Sequence, residues 1–258
     1  MMKSILRLAL FAAIWASPAT AGQIITDRPD FADATVPVPV GILQVESGYL
    51  FGKTAGTNQH TLGQLLVKTG LSERMEIRLG VNSYEKIDGT GGGVSGFSDG
   101  SLGIKLRLLE GHEETGPGSF NLATILFTGL PSGGKDLRAT HLAPGVMLTA
   151  DMALNSVWTW APFVQYDYTE DGLGQYNEFS AGFSVIRPLG DSTGWYLEYY
   201  ITLAENGYRE HKNFLGSGFT YLVSDELQLD FYGGTALNGD TPDYFIGAGL
   251  SFMLSLGK

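Results

Sequence analysis

From about Ile42 almost to the C-terminus, apolar and polar residues alternate with a period of two. In Met75-Glu76-Ile77-Arg78-Leu79-Gly80-Val81-Asn82 every odd position is apolar and every even one is polar or Gly. Strand side chains point to opposite faces in turn, so each such segment presents one apolar and one wet face. The pattern predicts about twelve strands: Ile42–Gly52, Thr61–Thr69, Glu73–Tyr84, Phe97–Leu109, Phe120–Gly129, Leu142–Ala150, Ser156–Tyr168, Tyr176–Arg187, Trp195–Ala204, Asn213–Val223, Leu227–Leu237 and Tyr244–Leu254. Most are close to the ~9–11 residues that a tilted membrane strand needs. No helix-period segment follows the N-terminus, and no later apolar run reaches the roughly 20 residues of a spanning helix. The expected fold class is all-β. A membrane form would have to be a closed antiparallel barrel, because an open sheet edge cannot sit in lipid.

Alternation alone does not say which face is buried. A soluble lipocalin-like barrel fills its core with the apolar face, whereas an outer-membrane barrel turns that face to lipid. The connectors separate the two. Lys53–His60, Glu85–Gly96, Leu130–Thr140 and Glu205–Lys212 are Gly-rich or charged and mostly long, while Gly70–Ser72, Asp151–Asn155 and Ser224–Glu226 are tight. Long outer loops opposite short inner turns are the asymmetry of outer-membrane barrels, with Glu110–Ser119 as an exception. Aromatics sit at predicted strand ends: Trp158, Trp160, Tyr166 and Tyr168 on one apolar face, Trp195 opening a strand and Tyr84 closing one. Trp and Tyr favour membrane–water interfaces, although β-propensity also enriches them in strands.

The wet face would then line a lumen. It carries Gln44, Glu46, Glu76, Arg78, Asn82, Asp99, Lys105, Arg107, Gln165, Asp167, Glu178, Glu198, Gln228 and Asp230, with Gly80, Gly103, Gly182, Gly247 and Gly249 on the same parity. Such charges act either as a selectivity ladder or as a paired network that seals a narrow barrel.

Residues 1–21 have the form of a signal peptide: Lys3 and Arg7, an apolar stretch from Ile5 to Trp15, and Ala19-Thr20-Ala21 at the cleavage position. Residues 22–41 form a Pro-bearing lead-in, and 42–258 the barrel. Removing Lys3 and Arg7 from 16 basic residues leaves 14 against 27 acidic ones. That balance argues against nucleic acid as a partner. The absence of Cys is compatible with export to a Gram-negative envelope, where a large β-fold needs no disulfide. The expected location is the outer membrane, with its lipids and a small-molecule solute as partners.

Thr26-Asp27-Arg28-Pro29-Asp30-Phe31, followed by Gly41-Ile42-Leu43-Gln44-Val45-Glu46-Ser47-Gly48-Tyr49, resembles the outer-membrane transporter family of the meta-cleavage (MetA) pathway of phenol degradation. The likeness continues through Thr69–Arg78, Ser98–Lys105 and Asp230–Gly234. The resemblance implies a barrel that takes up small, aromatic or hydrophobic compounds. One departure is the C-terminus: such barrels usually end on an aromatic residue, whereas this chain ends Leu256-Gly257-Lys258.

Asp27, Arg28, Pro29 and Asp30 precede the first strand, where the N-terminus could fold back into the lumen as a gate or plug, Arg28 meeting carboxylates such as Glu46 or Asp99. The plain alternative is a solvated periplasmic lead-in. For catalysis the signals are weak: His60, His112, His141 and His211 all fall in expected connectors, no G-x-S-x-G elbow is present, and no metal-ligand spacing stands out. The expectation is a channel without catalytic residues, metal or cofactor. A non-conducting structural barrel and a lipid-modifying enzyme are the alternatives.

Overall fold

The computed structural model describes residues 22–256 except 55, 90, 91, 112–118, 172, 173, 206–210 and 239–243. The expected signal peptide and His112 lie outside the described residues. Fourteen strands form one antiparallel sheet: β1 (Ile42–Thr54), β2 (Thr57–Ser72), β3 (Met75–Val81), β4 (Tyr84–Gly89), β5 (Gly92–Phe97), β6 (Gly100–Leu109), β7 (Phe120–Leu130), β8 (Ala143–Ala153), β9 (Thr159–Asp171), β10 (Gly174–Pro188), β11 (Thr193–Ala204), β12 (Lys212–Ser224), β13 (Leu227–Ala236) and β14 (Tyr244–Ser255). β1 pairs with both β14 and β2, so twelve strands close into a barrel, and the β4–β5 hairpin extends from β2 beyond the wall. Closure gives every wall strand two neighbours, which is what lipid requires of a sheet.

The parity argument holds on the outer surface. Leu79, Leu102, Ile104, Leu126, Val164, Phe183, Leu197, Phe219, Phe231 and Ile246 are exposed there, whereas Glu46, Glu76, Lys105 and Ser251 on the other parity are fully buried. The connectors after β2, β8, β10 and β12 are short, and the segment before β1 enters at the same end. In outer-membrane barrels the short turns face the periplasm.

Three expectations are corrected at the outer end. Glu85–Gly96, expected as a loop, contains most of the β4–β5 hairpin, whose pairs include Ile87↔Val94 and Tyr84↔Phe97, the latter rings meeting edge-on at 5.7 Å. Its alternation is short and diluted by Gly, which hides it from a periodicity argument. Lys53–His60, also expected as a connector, is mostly strand, because β1 runs to Thr54 and β2 begins at Thr57. His60 is therefore a strand residue, its Nδ1 at 2.7 Å from the Tyr49 hydroxyl and its ring 5.0 Å from that of Phe51. Finally, Glu73–Tyr84 and Phe97–Leu109 are not single strands. Breaks at Asn82–Ser83 and Ser98–Asp99 set β4–β5 off from β3 and β6, and the Asn82 amide donates to the Ser98 carbonyl across the bend.

A bulge in β2 sets the register of the first hairpin. Pairing passes from Glu46↔Leu66 to Gly48↔Gly63, so Gln64 and Leu65 stand opposite Ser47 alone. Gly63 has φ +104° and Gln64 φ 38°. Both lie in the left-handed region that side chains rarely adopt, and the bulge shifts the parity of the rest of β2. Gly63→Ala is expected to destabilise the barrel by about 1–3 kcal/mol through backbone strain. Urea titration read by mobility on unboiled SDS gels measures this. Gly52→Ala, where an added Cβ has open space, should leave the midpoint unchanged.

Candidate functional site

Residues 24–40 fold back into the barrel and fill its periplasmic half. Near the entrance Ile24, Val38, Ile42 and Met253 form an apolar cluster, and the Ile24 amide donates to the Asp225 carbonyl at 2.7 Å. The Val38 amide donates to Glu76 at 2.7 Å, and the Gln44 amide group to the Ile25 carbonyl at 2.8 Å. Among the described residues the segment pairs with a strand only at the Val40↔Gly70 bridge, and inward side chains of the wall satisfy much of the rest of its backbone.

Asp27 is the centre of the charged half. Its Oδ2 is 2.6 Å from Lys68 Nζ and 3.0 Å from Arg78 Nη2; its Oδ1 is 2.9 Å from Lys105 Nζ and accepts the Ala34 amide at 3.0 Å. The three cations stand on β2, β3 and β6. Lys68 is also 2.6 Å from Glu46, and Arg78 2.6 Å from Asp33. Burial alone would raise the Asp27 pKa, but Lys105, Lys68 and Arg78 hold it well below the usual carboxylate value. Glu46 does a second task, accepting the Asp27 and Arg28 amides at 3.1 Å each.

Arg28 turns the other way. Its guanidinium grips Asp230 bidentately, with Nε and Nη2 both at 3.1 Å, donates to Gln64 at 3.0 Å and lies 5.4 Å from the Tyr232 ring centre. Gly48 and Gly249 make this possible: a Cβ on either would come under 3.0 Å from the guanidinium. The expected side-chain partners Glu46 and Asp99 are corrected accordingly. Glu46 meets the Arg28 backbone, and Asp99 accepts the Gly133 and Ala139 amides at 2.7 and 2.8 Å, pinning an outer loop. Pro29 leads from Arg28 to Asp30, which is buried beside Glu198 and Ser184. Burial first, then the Glu198 charge, pushes the Asp30 carboxyl well above its usual value.

The other half of the lumen adds an aromatic arc to its polar groups, which the expectation of a charged inner surface did not include. Phe31 stacks between Phe163 (4.9 Å) and Tyr200 (4.8 Å), Tyr200 stacks on Phe214 (4.7 Å), and Phe245 stands 6.5 Å from Phe214 and 6.2 Å from Tyr232. Glu198 anchors the start of this arc by accepting the Phe31 amide at 2.5 Å. Ala32 packs with Ile125, Met147, Ala161 and Phe163. A cavity of about 340 Å³ lies here, lined by the apolar Phe31, Ile125, Phe127 and Met147 together with the polar Asp30, Asp33, Arg78 and Gln165.

The remaining candidates lie outside this network. Arg107 pairs with Glu110 at 2.8 Å, and Asp167 accepts from Gln165 at 2.8 Å and faces Glu178 across the β9–β10 register. Lys68, Gln64, Asp33 and the inner aromatics were missed. The bulge reverses the β2 parity just before Lys68, and an inward aromatic is indistinguishable from an outward one where both faces are apolar. His141 contacts Thr140, and no group of residues suited to a metal ion occurs among the described residues.

Removing Asp27 takes away the carboxylate that Lys68, Arg78 and Lys105 share, leaving them Glu46, Asp33 and Glu76. Asp27→Ala is expected to cost about 3–5 kcal/mol of stability, the cost of breaking a buried ion-pair network. Urea midpoints measure it. Asp88→Ala, which breaks an exposed pair with Lys86 (2.7 Å), should shift them by no more than about 0.5 kcal/mol.

The wall matches known channels. The COG4313 outer membrane channel from Pseudomonas putida F1 superposes with a TM-score of 0.65 at 12% identity, covering 93% of this chain and 100% of that one. NanC porin gives 0.56 at 10% identity, with 81% and 98% covered, and KdgM porin, solved with disordered oligogalacturonate, gives 0.53 at 6%, with the same coverage. These are channels and porins, and at such identities they establish the fold of an outer-membrane barrel. No curated protein matches the chain. The family model described as "Putative MetA-pathway of phenol degradation" matches residues 26–254, from the lumen segment to the last strand, and the chain belongs to that family.

Proposed function

We propose that the protein is an outer-membrane channel for small molecules with aromatic or apolar bodies, and that residues 24–40 are its gate. The observation that carries this reading is the composition of the lumen around the segment. A rigid seal needs only complementary packing, yet beside Phe31 the segment leaves a cavity of about 340 Å³ whose lining includes the apolar Phe31, Ile125, Phe127 and Met147. The arc Tyr200–Phe214–Phe245 continues from Phe31 toward the outer end of β11, β12 and β14, offering flat faces on which rings can stack. Family membership supports the same solute class. The signal-like pattern of residues 1–21 and the apolar outer belt support a location in the outer membrane, with lipid as the surrounding partner.

A structural, non-conducting barrel is the second reading, and the saturated Asp27 and Arg28 contacts favour it. Passage through a lumen requires no covalent step, so no catalytic residue is assigned. Liposome swelling distinguishes the two: phenol-sized aromatics should enter faster than sugars of similar mass, and equal exclusion of both would leave the structural reading. Arg28→Ala removes the bidentate grip on Asp230 and should raise single-channel conductance in planar bilayers; unchanged conductance would rule out the gate.

A further inference from the structure

Resting on the channel reading, we infer that the Asp27 carboxylate occupies an anion site of the barrel wall, and that the solute which displaces it is a small monocarboxylate with an apolar body. Two observations point there. First, cations from three successive wall strands, Lys68, Arg78 and Lys105, converge on one carboxylate, with two donors on each oxygen once the Ala34 amide is counted. Without the N-terminal segment these three cations would face only Glu46 and Glu76 within the network, because Asp27 and Asp33 both belong to the segment. Second, Arg78 also borders the cavity, whose lining includes Phe31, Ile125, Phe127 and Met147. A carboxylate at the cations would therefore have room beside it for a ring or a short aliphatic chain.

The energetics select for charge. With Asp27 and Asp33 withdrawn, three cations face two wall carboxylates, so water alone leaves the site one anion short. A second carboxylate replaces it in kind, and the exchange leaves every cation paired. A neutral ring can enter the cavity but cannot take over the ion pairs. The segment is thus a tethered competitor, and solute charge opens the site.

The chain has no Cys, so a single reporter can be introduced at Ala34, whose amide bonds Asp27. Ala34→Cys protein, folded in detergent and checked by gel mobility, is reacted with a water-soluble maleimide in the presence of benzoate, benzyl alcohol or sodium chloride, each at about 10 mM. Benzoate should speed labelling by roughly fivefold or more, as displacement shifts the population toward the open segment, while benzyl alcohol and chloride leave the rate unchanged. An equal effect of benzyl alcohol would show that the apolar body alone acts, an equal effect of chloride that simple screening does, and no effect of benzoate that no exchange occurs; each overturns the inference. In Asp27→Asn/Ala34→Cys, labelling should be fast without benzoate and insensitive to it, and retained benzoate sensitivity would overturn the inference equally. If that variant does not fold, the single-substitution result decides. Labelling reports displacement and not transport, so a normal swelling assay with unresponsive labelling overturns only this inference, and the converse only the channel reading.

Discussion

The interior of this barrel is organised by one carboxylate. Asp27 holds Lys68, Arg78 and Lys105 at 2.6–3.0 Å, and each of those cations is a wall residue buried where water cannot solvate it. A barrel wall with inward Lys and Arg is tolerable in a water-filled pore, but once a chain fills the lumen every charge needs a partner. Threading of the N-terminal segment and the charge pattern of β1, β2, β3 and β6 are therefore one design. Neither is stable in this arrangement without the other.

That constraint explains why the lumen is divided. The segment meets β1, β2, β3, β6 and β13 through ions and amides, and β7–β11 through Phe31, Ala32 and their apolar neighbours together with hydrogen bonds to Thr149, Asp151 and Glu198. Ionic contacts are directional and costly to break singly, whereas stacked rings tolerate sliding and exchange of one ring for another. A segment held rigidly on one side and by packing on the other yields first along the packed side. The cavity lies along that packed side, between Phe31 and the inward residues of β7 and β8.

Much of the fold was legible because closure and alternation are global. The wall strands carry apolar outer faces such as Leu102/Ile104 or Leu229/Phe231, and tight turns follow β2, β8, β10 and β12. The lumen segment was legible as a charged cluster, since Asp27, Arg28 and Asp30 flank a Pro before the first strand. Their partners were harder. Asp230 and Glu198 showed as inward acids, but pairing across 202 residues of sequence is set by barrel geometry and not by spacing. Lys68 was hidden by the positive φ values at Gly63 and Gln64, because a period-two argument has no way to sense an inserted residue. Phe214, Phe245 and Ile125 were hidden for the opposite reason. The argument assigned inward positions by polarity, and these inward positions are apolar.

The low identity to other barrels follows from the same physics. Outward positions need only be apolar and of β-forming shape, so many residues serve and the wall carries little specificity. Inward positions around the segment are far more restricted. Gly48 and Gly249 must lack a side chain for Arg28 to reach Asp230, and Glu46 must be long enough to reach two backbone amides while also meeting Lys68. Specificity in such a protein therefore resides in what the wall presents to its own N-terminus. On the proposed channel reading, the groups that hold Asp27 and Phe31 in place would also be those that a passing molecule has to satisfy.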